Sequence, residues 1–250
     1  MIPSPKALAA LCHEMAQSGA ALANSMGPKS ITEKTSSSDL VTAADTAVEA
    51  SLRDLATTIY PEASFIGEES GGDMSGFGFI VDPIDGTTNF AYGRPDYTCS
   101  VAAHIEGEVV AASLCSIPSN LDIASFRGEP TRNQLSAPRD LRHVLVDMSS
   151  GRELRHLYPN MISALAGRVR DTRRSGCCSL SLAQVSTGQL DAYIGVEIKI
   201  WDYAAGLFIA EQAGAKAVWL DTPTRPVLVL AHPSVVDELA TLVRTTYPAP

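Results

Sequence analysis

The residues best suited to chemistry lie in four short acidic stretches. Asp82 and Asp85 stand three residues apart in Val81-Asp82-Pro83-Ile84-Asp85-Gly86-Thr87-Thr88-Asn89-Phe90, directly after the apolar pair Phe79-Ile80. Pro83 cannot donate to a strand ladder, so the strand is expected to end at Asp82. Both carboxylates can then turn toward one point, with the Ile84 carbonyl between them. Two carboxylates and a carbonyl are hard oxygen donors, the set that magnesium takes. Gly86, Thr87, Thr88 and Asn89 add backbone amides and hydroxyls at an expected helix start, where an anion is held. A cation site and a phosphate cradle therefore share one loop.

The other stretches are Gly67-Glu68-Glu69-Ser70 after Phe65-Ile66, Trp201-Asp202-Tyr203-Ala204-Ala205-Gly206, and Asp45 in Leu40-Val41-Thr42-Ala43-Ala44-Asp45. Taken singly, each has an ordinary explanation: a turn, a solvated acid pair or a helix N-cap. Their placement argues otherwise, because each acid closes an apolar run, where uncompensated charge is costly. Carboxylates converging there repel one another unless cations neutralise them.

The surrounding pattern shows which elements must position these groups. Leu8, Leu11, Cys12, Met15 and Leu22 predict an amphipathic helix over about residues 5–26, stopped by Gly27-Pro28. Asp39 is the expected N-cap of a second helix carrying Ala44, Val48, Leu52 and Leu55, which ends before Pro61. Strands are expected at Ser64–Gly67, Phe77–Val81, Tyr97–Ile105, Val109–Ile117 and Leu121–Phe126, forming a mostly antiparallel sheet. Beyond the polar stretch Glu129–Asp140, strands (Val144–Val146, Leu190–Val196, Ala217–Leu220, Val227–Ala231) alternate with helices (Glu153–Leu165, Ser179–Thr187, Tyr203–Ala213, Ser234–Arg244). That alternation is the mark of an α/β architecture. The whole of 1–250 reads as one catalytic domain, with an N-terminal lobe of about 1–135 and a C-terminal lobe of about 136–250.

The net charge of −9, with no Lys/Arg stripe, argues against nucleic acid as a partner. No stretch approaches the roughly 20 apolar residues that span a bilayer, and the N-terminal segment lacks a signal-peptide pattern. The five cysteines show no zinc spacing, so reduced thiols in a soluble cytoplasmic protein are expected.

In their order and spacing, Gly67-Glu68-Glu69, Asp82-Pro83-Ile84-Asp85-Gly86-Thr87-Thr88-Asn89-Phe90 and Trp201-Asp202-Tyr203-Ala204-Ala205-Gly206 resemble the signatures of the inositol monophosphatase family. This family belongs to the lithium-sensitive, magnesium-dependent phosphatases, which include fructose bisphosphatases. The resemblance implies a layered α-β-α-β-α sandwich and a phosphoric monoester hydrolase using two or three Mg2+ ions. It implies Glu68, Asp82, the Ile84 carbonyl, Asp85 and Asp202 as metal ligands. Asp45 and Thr87 match the pair that orients and deprotonates the attacking water, with Glu68 also catalytic through its metal. Asp85, Gly86, Thr87, Gly176, Cys177, Cys178, Glu197 and Asp202 fall where substrate and phosphate bind, with Lys34 and Glu69 nearby. A homodimer is expected by the same analogy, acting on a small-molecule phosphate ester.

The second half departs from the family pattern. Inositol-processing members carry a glutamate seven residues before the Trp-Asp aspartate, and Gly195 stands there. Glu197, two residues on, is either its replacement or a solvated acid. The family's Arg-x-x-Gly-Ser-Ala-Ala loop is here Arg173-Arg174-Ser175-Gly176-Cys177-Cys178-Ser179, and Arg127–Val144 is several residues short. Inositol monophosphate is the leading substrate, and histidinol phosphate, fructose 1,6-bisphosphate and a 3′-phosphoadenosine nucleotide stay open. A binding or regulatory protein on the same fold is the reading from another class.

Overall fold

A computed structural model of the chain describes residues 2–28, 31–33, 40–128, 135, 137–138, 140–222 and 226–246. Helix α1 (Pro5–Met26) opens with the Ser4 hydroxyl accepting the Ala7 N–H at 3.3 Å and closes at Gly27. It buries Leu8, Leu11, Cys12 and Met15, the expected face. Helix α2 (Ala43–Ile59) starts later than an Asp39 cap would place it. The β-prone Leu40–Thr42 (β2) pairs instead with Ile31–Glu33 (β1), antiparallel. Asp39 itself lies outside the described residues, as does Lys34.

Five strands then build the first sheet: β3 (Ser64–Gly67), β4 (Phe77–Asp85), β5 (Thr98–Ile105), β6 (Glu108–Ser116) and β7 (Leu121–Phe126). They lie in chain order, with β3 and β4 parallel and the remaining pairs antiparallel. The helix start expected at Gly86–Asn89 is a short helix, α3 (Thr87–Ala91), with Gly86 as its N-cap.

The second sheet has the order β11-β12-β10-β8-β9, with β8 (Leu145–Ser150), β9 (Asp171–Arg173), β10 (Ala192–Val196), β11 (Lys216–Asp221) and β12 (Pro226–Ala231). Strands β8, β9 and β10 are parallel, and β12 runs antiparallel to both β10 and β11. The helix expected over 153–165 divides into a 3-10 segment (Arg152–Leu157) and α4 (Tyr158–Leu165). Pro159 lacks the N–H that a continuous ladder would need, so the α-helix begins there. Helices α5 (Cys178–Ser186), α6 (Ile200–Gln212) and α7 (Val236–Arg244) complete the fold.

Side-chain alternation along the strands creates the layers. Phe79 and Val81 face α1 and α2, whereas Ile80 and its neighbours Ala102 and Ala112 face Ala205, Phe208 and Ile209 of α6. On the other side of the central helices, Leu182 and Ala210 pack on Tyr193, Leu228 and Leu230 of the second sheet. Helices α4 and α7 cover that sheet's outer face, with Met161, Leu239 and Val243 against Val146 and Ile194. The result is the five-layer α-β-α-β-α sandwich. Among the described residues no helix is long and apolar enough to cross a membrane.

Candidate metal centre

Strand β4 does not stop at Asp82. It runs on to Asp85, buried throughout, because the chain makes a bulge there instead of breaking. Asp82 pairs with Ser100 and Asp85 with Thr98, so Pro83 and Ile84 together oppose Cys99. A bulge leaves a residue out of the ladder, and Pro83 has no N–H to lose. The Asp82 carboxylate accepts the Ile84 N–H at 3.0 Å, which fixes the turn.

The bulge brings Asp82 and Asp85 together with Asp202, each offering an oxygen within 4.8 Å of the others. Asp202 arrives from the opposite layer as N3 of α6, not as its N-cap, and accepts the Lys199 N–H at 2.9 Å. Helix α6 therefore starts at Ile200, ahead of the expected Tyr203.

Burial and mutual repulsion dominate the electrostatics. Asp82 is 1% exposed, and its carboxyl is pushed well above the ordinary range, first by burial. Repulsion from Glu68, Asp85, Asp202 and Asp45 adds to that, so five carboxylates feel one another here. Burial, with Asp85 the largest neighbouring charge, raises Asp202 to about 8. Burial also raises Asp85, but hydrogen bonds oppose it. Its Oδ2 accepts the Ser179 N–H at 2.5 Å, the Ser179 hydroxyl at 2.6 Å and the Cys177 thiol at 3.3 Å.

Beside this cluster, the Thr87 hydroxyl lies 3.5 Å from Asp45 Oδ1 and 3.2 Å from the Ile84 carbonyl. Both Asp45 and Thr87 are buried, Asp45 in the first turn of α2. Gly86, in the left-handed conformation, is the N-cap of α3. Glu68 and Glu69 are half-buried in the turn after β3.

The second-half residues distribute less simply. Gly176 is exposed, and Asn89 ties its loop down by donating to the Ser175 carbonyl at 2.9 Å. Cys177 and Cys178 point inward: the former meets Asp85, and the latter accepts the Tyr193 hydroxyl at 2.9 Å. Glu197 is half-buried just past β10, in a left-handed conformation (φ 50°). Gly195 faces the Tyr193 ring and Ile198, and a Cβ there would stand 2.9 Å and 2.7 Å from them.

Sequence reasoning missed three groups that the structure places next to these. Glu49, one helical turn after Asp45, was findable from its spacing. Asp147, a lone acid in an apolar strand, carried the signal of a charge in a core. Ser179 gave no signal beyond its place after the paired cysteines.

The profile of the inositol monophosphatase family matches residues 6–244, almost the whole chain. The chain belongs to the inositol monophosphatase family. Among its relatives in that family, the Mycobacterium tuberculosis protein named inositol-1-monophosphatase SuhB is 34% identical over 235 residues, covering 85% of this chain and 81% of the relative. The Escherichia coli protein named Nus factor SuhB is 31% identical over 189 residues, 71% of each chain. The solved structure of Mycobacterium tuberculosis SuhB superposes with a TM-score of 0.84 at 28% identity, covering 98% of both chains. An inositol monophosphatase structure from Anabaena (Nostoc) shares the family fold at 24% identity, with a TM-score of 0.83 and 97% of both chains covered.

Proposed function

We propose that the protein is a magnesium-dependent phosphomonoesterase acting on a small polyol phosphate, with inositol monophosphate the leading candidate. The observation that carries this reading is the convergence of the Asp82, Asp85 and Asp202 oxygens within 4.8 Å, beside the buried Asp45–Thr87 pair. The donor set fits magnesium: every candidate ligand atom is a hard oxygen, and the crowded carboxylates need positive charge between them. Glu68, Asp82, the Ile84 carbonyl, Asp85 and Asp202 would hold it. Magnesium bound there supplies positive charge that activates a water and stabilises the phosphate and the leaving alkoxide.

The chain's own groups do the rest. The Thr87 hydroxyl, within reach of Asp45, accepts a proton from the attacking water while passing its own to the Asp45 carboxylate. The turn at Gly86 and Thr87 presents backbone amides to the phosphate, and Gly176 lies close by through Asn89. Selection of the alcohol falls to the second half of the chain. There the Tyr193 ring and Ile198 fill the space beside Gly195, so hydroxyl recognition at that wall shifts to Glu197 or to the Ser175–Cys178 loop.

A second reading, a regulatory role beside or instead of turnover, has support from the similarity to the protein named Nus factor SuhB. The deciding experiment is a phosphate-release screen of the purified chain. Substrates are inositol 1-phosphate, fructose 1,6-bisphosphate, histidinol phosphate and adenosine 3′,5′-bisphosphate, with magnesium, with chelator and with lithium. Magnesium-dependent release that lithium inhibits is expected, greatest on the polyol phosphate. Absence of release from every substrate would favour the regulatory reading, and release in excess chelator would refute the metal-assisted one.

A further inference from the structure

Asp147 is a carboxylate on an inner strand of the second sheet, 1% exposed, between the core residues Val146 and Met148 of β8. A charge so placed is tolerated only where hydrogen bonds replace its water. Its Oδ1 accepts the Met148 N–H at 2.6 Å and the Ser175 N–H at 3.2 Å. Its Oδ2 accepts the hydroxyls of Ser175 and of Ser181, the latter at 2.6 Å. The two hydroxyls also lie 2.8 Å apart. Apart from its own neighbour Met148, every group that Asp147 holds among the described residues thus belongs to the two ends of one segment, Ser175–Ser181.

The middle of that segment holds something else. The Cys177 thiol, the Ser179 N–H and the Ser179 hydroxyl all converge on Oδ2 of Asp85. Ser179 is itself braced by Thr98 on β5, hydroxyl to hydroxyl at 2.5 Å. These bonds to Oδ2 fix the orientation of the Asp85 carboxylate. Two buried acids on different sheets therefore share one loop, with Asp147 at its ends and Asp85 at its centre.

We propose that Asp147 is a positioning residue for the metal centre. It fixes the Ser175–Ser181 segment and, through Cys177 and Ser179, the orientation of the Asp85 carboxylate. This rests on the reading of Asp85 as a metal ligand. Partners that orient a ligand typically change metal affinity or activity by about 10–100-fold when removed. A purely structural acid would instead affect stability and leave metal affinity alone.

The test measures magnesium binding to the metal-free full-length chain by calorimetry, alongside the magnesium dependence of phosphate release and the melting temperature. Asp147→Ala is expected to raise the magnesium Kd by about tenfold or more, with kcat at saturating magnesium changed less. Asp147→Asn keeps an oxygen for the two backbone N–H groups and should restore most of the affinity. Ser181→Ala leaves the carboxylate in place, loosens one end of the segment and should give a smaller rise. Val146→Ala, a cavity in the same strand, should lower the melting temperature with Kd unchanged. If Asp147→Ala does not fold, Ser181→Ala decides the matter. Unchanged Kd in the folded variants, or a change matched by Val146→Ala, would overturn the proposal. A wild-type chain that takes up no magnesium would remove the metal reading itself, a failure visible before any variant is made.

Discussion

The Glu49 carboxylate accepts the backbone N–H of Glu69 at 2.8 Å, one turn of α2 beyond Asp45. It packs so closely on Gly67 that a Cβ at that position would overlap it. Arg53, one turn further on, donates to the Ser70 hydroxyl and lies over the Phe65 ring at 4.2 Å. One helix face therefore carries Asp45 and also clamps the turn that presents Glu68. Glu49→Ala should lower phosphate release by about 10–100-fold, chiefly by raising the magnesium requirement. Glu49→Gln, which still offers an oxygen to the Glu69 N–H, should recover most of it. Equal losses in both variants would mean that the charge, not the hydrogen bond, is what counts.

Asp82→Asn and Asp202→Asn remove one charge each without changing shape. Each should reduce turnover by orders of magnitude. Each should also raise the melting temperature of the metal-free protein, because burial and like-charge repulsion push both carboxyls upward. Near-normal activity in either variant would remove that residue from the proposed ligand set. A fall in metal-free stability would show that hydrogen bonds at the site outweigh repulsion.

Much of this arrangement is legible in the sequence, for physical reasons that also mark where reading fails. The strands Ser64–Gly67 and Leu121–Phe126 have their observed limits because turn residues bracket them. Strand β9 has three residues, too few to display a period. The bulge at Pro83 could not be told from a strand end, since both satisfy a residue without an N–H. The acids were visible because charge at the end of an apolar run is costly. Their supports were not, because the Ser179–Asp85 and Ser181–Asp147 bonds join residues 94 and 34 positions apart.

The pH dependence of metal-free stability follows from two opposing shifts. Asp202 is raised from 3.8 to about 8, so the folded state holds its proton more tightly than the unfolded chain does. Its contribution is complete below pH 4 and is lost as the pH rises toward 8. His104, beside the Ser64 hydroxyl at 3.1 Å, is lowered from 6.5 by burial, with Asp73 and Glu106 partly opposing. Its contribution is present above pH 6.5 and is lost on acidification. Between pH 6.5 and 8 the carboxylates dominate, and the melting temperature in chelator should fall as pH rises. Saturating magnesium should flatten or reverse that slope. A rising slope in chelator would show that burial and mutual repulsion do not raise these carboxyls.

Thr87 and Asp45 should behave as one unit. Thr87→Ala removes the hydroxyl between the water and Asp45, and Asp45→Asn removes the group that takes the proton. Each should lower kcat far more than it changes magnesium binding measured by calorimetry. The double variant should be little worse than either single one, since residues acting in one step are not additive. Multiplicative losses would assign the two residues to separate steps.

The wall at Gly195 sets the last expectation. A side chain there meets the Tyr193 ring and Ile198, both packed around the end of β10. Gly195→Ala should therefore destabilise the fold by about 1–3 kcal/mol, the usual range for overpacking a core. Gly195→Glu should destabilise it further rather than install a working hydroxyl-binding group. Glu197, held by its N–H on the Pro226 carbonyl at 3.0 Å, is the candidate acid for that task. If it contacts substrate hydroxyls, Glu197→Ala should raise KM for inositol 1-phosphate and barely alter hydrolysis of an aryl phosphate, which has no hydroxyls to lose. Equal effects on both substrates, or none, would mark Glu197 as a surface acid. Selection of the alcohol would then rest with the Ser175–Cys178 loop, whose position Asp147 and Asn89 fix from either side.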